Sequence, residues 1–85
     1  MRRAKADATQ PEIMKALRDA GCLVESLHRV GGGVPDLLVC RNGRLYLVEC
    51  KTAGGKLNPE QVKFQQDGWP VTVLRSAEDA DEWAK

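Results

Sequence analysis

The stretch Asp36-Leu37-Leu38-Val39-Cys40-Arg41-Asn42-Gly43-Arg44-Leu45-Tyr46-Leu47-Val48-Glu49-Cys50-Lys51 decides the fold. Two apolar runs flank Asn42-Gly43, a strong hairpin signal, because a type I′ turn needs positive φ at both central residues. With those two residues as the turn, Arg41 faces Arg44, Leu37 faces Val48 and Asp36 faces Glu49. Side chains alternate along a strand, so Asp36, Leu38 and Cys40 share a face with Leu45, Leu47, Glu49 and Lys51. Opposed residues have Cβ atoms roughly 4.5–5.5 Å apart, and like charges so placed destabilise the sheet. The two carboxylates therefore call for a cation. Lys51 sits beside the pair, diagonal to Asp36, rather than between its members. A divalent metal fits the gap, since hard cations such as Mg²⁺ accept one or two carboxylates together with water and phosphate oxygens. The plain alternative is that acids at strand ends are simply solvated.

Working outward, Thr9 to Ala20 reads as a helix with Ile13, Leu17 and Ala20 on one face, stopped by Gly21. Residues 1–8 are charged, small and aperiodic, the pattern of a mobile basic arm ahead of a single domain over residues 9–85. Cys22 to Val30 reads as a strand, followed by the break Gly31-Gly32-Gly33. Beyond the hairpin, Ala53-Gly54-Gly55-Lys56 is a loop. Asn58-Pro59-Glu60-Gln61 opens a second helix with Asn58 as cap and Pro59 at its first position. Val71 to Leu74 reads as a short strand, and Ser76 caps a last helix reaching towards Trp83. The order is α-β-β-β-α-β-α.

The 85 residues allow one domain with a modest core. No apolar run is long enough to span a bilayer, and no apolar stretch follows the basic N-terminus as a secretory signal requires. Cys22, Cys40 and Cys50 are odd in number and widely spaced, which argues against a disulfide framework or zinc site and for a reducing compartment, the cytoplasm. The net charge is +1, yet residues 1–66 carry 11 basic and 7 acidic side chains, whereas residues 67–85 carry 2 and 5. A basic body with an acidic tail fits a polyanionic partner. No P-loop, GxGxxG or nucleophile elbow occurs, so a nucleotide cofactor and Ser-type acyl chemistry have no support.

Pro35-Asp36, then Glu49-Cys50-Lys51, with Gly33 before and Gly55, Leu57 and Gln61 after, resembles the PD-(D/E)XK nuclease superfamily and, within it, the VRR-NUC (virus-type replication-repair nuclease) branch. The resemblance runs from about Glu12 to Leu74. It implies an α/β, restriction-endonuclease-like α-β-β-β-α-β core with a mixed sheet flanked by helices. It also implies a DNA endonuclease dependent on Mg²⁺ or Mn²⁺, of viral setting and selective for branched DNA such as four-way (Holliday) junctions. Other substrate geometries, or a non-cleaving DNA-binding module of the same fold, are the alternatives. In such enzymes Asp36, Glu49 and the main-chain carbonyl of Cys50 hold metal, Lys51 acts on the attacking water, Glu12 completes the metal site, and Gln61 stands near the lysine. Two of these have structural alternatives: Glu12 lies three residues after Thr9, and Gln61 three after Asn58, both capping-box positions. The small core, the two strands of a junction and the aromatics Tyr46, Trp69 and Trp83 together point to a homodimer.

Overall fold

The structure, a computed structural model, describes residues 2–85, with side chains described from Thr9 onward. Its elements are α1 (Arg2–Asp19), β1 (Leu23–Ser26), β2 (Leu37–Arg41), β3 (Arg44–Cys50), α2 (Pro59–Gln66), β4 (Val71–Leu74) and α3 (Ala77–Trp83). The four strands form one sheet in chain order, β1, β2 and β3 antiparallel and β4 parallel to β3. The mixed sheet flanked by helices matches the expected class and order.

The hairpin register is the one read from Asn42-Gly43. Arg41 pairs with Arg44, Val39 with Tyr46 and Leu37 with Val48. Asn42 at φ 53° and Gly43 at φ 80° adopt the two positive-φ positions of the turn. One face of the sheet carries Val24, Leu37, Val39, Val48 and Leu74, buried against Ile13 and Leu17 of α1 and Ala80 of α3. Tyr46 completes this side, with Trp83 edge-on at 5.0 Å and Arg41 lying 5.4 Å over the indole.

Two boundaries depart from the sequence reading. β1 stops at Ser26 instead of Val30, because the Ser26 hydroxyl takes up the His28 backbone N–H and ring nitrogen and begins a turn. α1 runs back to Arg2, so Thr9 lies inside the helix and cannot cap it, and Pro11 is internal. The arm expected over residues 1–8 concerns side chains outside the described residues. On the opposite sheet face, among the described residues, α2 reaches the Glu49 end through Gln61 and the far end is open, with Leu23 and Leu45 72% and 71% exposed.

Candidate active site

The strand order brings the two motif carboxylates to the end of the sheet face that α2 reaches. Asp36 sits one residue before β2, where its backbone carbonyl accepts from the Leu27 N–H at 2.7 Å. Its carboxylate turns across the sheet and Oδ2 accepts the Cys50 N–H at 2.8 Å. Glu49 lies near the end of β3, and its side chain is only 3% exposed. Gln61, in the first turn of α2, donates from Nε2 to Glu49 Oε2 at 2.9 Å. Lys51 Nζ stands 4.0 Å from the same oxygen. These groups line a cavity of about 310 Å³ together with Gln10, Thr52, Gly55 and Lys56. Two larger hollows of about 540 and 600 Å³ lie over the open part of that face, and neither brings two carboxylates together.

The electrostatics follow from that packing. Burial, then the charge of Asp36, pushes Glu49 up from 4.5 to about 7, with Lys51 pulling the other way. The Cys50 thiol is pushed up by burial and then by both carboxylates, which leaves its sulfur protonated. A buried carboxylate held near a second one, with the cation 4.0 Å off, is short of positive charge. That donor set suits a hard divalent ion, which takes one or two carboxylates and a carbonyl and completes its shell with water. Among the described residues no cluster of three His, Cys, Asp or Glu occurs, and the acidic groups of the cavity are Asp36 and Glu49.

Gln61 both closes the capping box and reaches Glu49. Its Oε1 accepts the Asn58 N–H and the Asn58 side chain accepts the Gln61 N–H, each at 2.9 Å, closing the capping box. Its Nε2 is then left facing Glu49; the reverse orientation would set an oxygen against a carboxylate. Glu12 is placed apart from these groups. It is exposed, does not line the cavity, and with Thr9 inside the helix forms no capping box. Residues two apart on a helix project about 160° from one another, so Gln10, on the side of Leu17, reaches the cavity and Glu12 does not.

Sequence reading also missed Arg75. One of its guanidinium nitrogens, Nη1, donates to the Thr52 carbonyl at 2.8 Å and the Gly55 carbonyl at 2.7 Å, pinning the turn that walls the cavity after Lys51. Its partners are 23 and 20 residues away in the chain, and no local pattern signals them.

A solved structure described as a VRR_NUC domain superposes with a TM-score of 0.70 at 29% identity, covering 92% of this chain and 91% of that one. The chain has the fold of a VRR-NUC domain. It is thus a nuclease-type domain, and the coverage leaves little of either chain outside the shared fold. No family model matches the sequence, and no curated protein matches it. Among the described residues no helix of this VRR-NUC domain is long and apolar enough to cross a membrane.

Proposed function

We propose that the chain is an endodeoxyribonuclease that uses Mg²⁺ or Mn²⁺, held by Asp36, Glu49 and the Cys50 carbonyl, to hydrolyse phosphodiesters in branched DNA, four-way junctions first among them. The observation that carries the proposal is the buried Glu49 beside Asp36 with Lys51 at 4.0 Å, in a fold shared with a VRR-NUC domain. A divalent ion bound there supplies Lewis-acid charge, making water a better nucleophile at neutral pH and stabilising charge on the scissile phosphate. Asp36 orients its carboxylate through the Cys50 N–H, and Gln61 fixes one oxygen of Glu49. Lys51 holds the attacking water and offsets the negative charge that develops as it adds. Lys56, on the cavity rim, meets the backbone of the substrate.

The proposal includes a homodimer. A junction presents two strands, and one 9.4 kDa domain offers one such site. The open part of the sheet face supports it, with Leu23, Leu45 and Trp69 all more than half exposed. Leu45→Glu should leave a mass near 9.4 kDa in light scattering where the wild type gives twice that. Incubation with linear, flapped, forked and four-way DNAs in Mn²⁺ tests the activity. Selective cutting of the four-way DNA is expected, and equal cutting of all forms would remove the junction preference.

A further inference from the structure

Three glycines precede Pro35-Asp36, and all lie at positive φ: Gly31 at 70°, Gly32 at 63° and Gly33 at 86°. Only the third is crowded. A side chain at Gly31 or Gly32 would meet no atom within 4 Å, whereas a Cβ at Gly33 would overlap the Glu60 carbonyl oxygen and lie 2.7 Å from its carbon and 3.2 Å from the Gln61 nitrogen. Gly33 is therefore glycine twice over, for its backbone angle and for the first turn of α2 resting on its Cα.

That turn is the one that carries Gln61. α2 has no fully buried residue, so no side chain sunk in the core sets its height above the sheet. Its ties to the fold include the Phe64–Trp69 stack at 5.3 Å, the Gln61–Glu49 hydrogen bond and the contact at Gly33. We infer that Gly33 is a positioning residue: by letting the loop backbone touch the first turn of α2, it sets the depth at which the Gln61 amide meets Glu49. A methyl group at Gly33 lifts that turn and breaks the hydrogen bond, and with it the fixed orientation of a carboxylate proposed to hold metal. The contact stands on geometry alone, while its catalytic consequence rests on the nuclease reading.

The test compares Gly33→Ala with Gly32→Ala, since both incur the positive-φ penalty and only the first meets Glu60. The Gln61 side-chain amide resonance in a ¹⁵N NMR spectrum reports the hydrogen bond directly. It should move to the solvent-exposed position in Gly33→Ala and stay in place in Gly32→Ala. In Mn²⁺-dependent cleavage, Gly33→Ala should lower kcat about tenfold or more with KM for DNA little changed, since displacements of about 1 Å carry such losses. Gln61→Ala should reproduce that loss, and adding Gly33→Ala to it should lower kcat no further. An unmoved Gln61 resonance in Gly33→Ala, an equal loss in Gly32→Ala, or a further additive loss in the double variant overturns the inference. So does a Gly33→Ala chain that fails to fold, because α2 has no fully buried residue whose displacement would cost the core. A wild type that cuts no DNA refutes the nuclease reading instead, and the NMR comparison still decides the role of Gly33.

Discussion

Glu49→Gln should make the metal-free protein more stable at pH 8 while abolishing cleavage. Burial and the Asp36 charge raise Glu49 from 4.5 to about 7, so between those values the folded chain keeps a proton that the unfolded chain has released. Stability then falls as pH rises through that window, the reverse of a carboxylate whose value is depressed on folding. Each pH unit in the window is worth about 1.4 kcal/mol, so ionised Glu49 costs the metal-free fold about 3 kcal/mol at pH 8. Solvent screening does little to reduce this, since the side chain is 3% exposed. The glutamine retains an oxygen for the Gln61 amide and adds no charge. Urea denaturation in EDTA should place the variant about 3 kcal/mol above wild type at pH 8 and level with it near pH 4, a gain of roughly 12–24 °C in Tm for a domain of this size. Mn²⁺ at a hundred times its dissociation constant should return about 2.7 kcal/mol to the wild type and nothing to the variant. A variant no more stable than wild type at pH 8, or a wild type whose stability rises between pH 5 and 7, would refute the reasoning.

Lys51→Ala should keep Mn²⁺-induced stabilisation and DNA binding in a gel-shift assay yet lose about 10²–10⁴ in turnover, the usual share of a group acting on the water. Glu12→Gln should cleave at the wild-type rate, because the residue is exposed and does not line the cavity, whereas Gln10→Ala should slow cleavage in the same assay. Arg75→Ala removes two hydrogen bonds to the turn after Lys51 and should cost about 1–3 kcal/mol in urea denaturation, with faster amide exchange at Gly55.

Much of the site was legible because its signals are local. Asn42-Gly43 set the hairpin register to the residue, and with it the meeting of Asp36 and Glu49. Asn58-Pro59 announced the start of α2 and the capping box of Gln61. The capping box expected at Thr9 and Glu12 does not form, because α1 extends back to Arg2 and leaves Thr9 inside the helix. Gln10 is three and seven residues before Ile13 and Leu17, a spacing that already put it on the inward face. The open part of the sheet face was hidden by its own composition. Leu37 to Cys40 and Leu45 to Val48 are unbroken apolar runs, which normally mean burial on both sides, whereas here helices close one and leave the other partly open. The touch of Gly33 on Glu60 and the reach of Arg75 to Thr52 join distant parts of the chain, and only the folded backbone reveals them.

The most direct measurement is Mn²⁺-dependent conversion of supercoiled plasmid by wild type and by Asp36→Asn, each first shown to be folded by circular dichroism. Asparagine keeps the shape and an oxygen for the Cys50 N–H while removing the charge that the metal needs. The proposal predicts nicked and linear DNA from wild type with Mn²⁺, none with EDTA, and none from the variant. Equal cutting by the two proteins, or cutting by wild type in EDTA, would contradict a metal site built on Asp36 and Glu49.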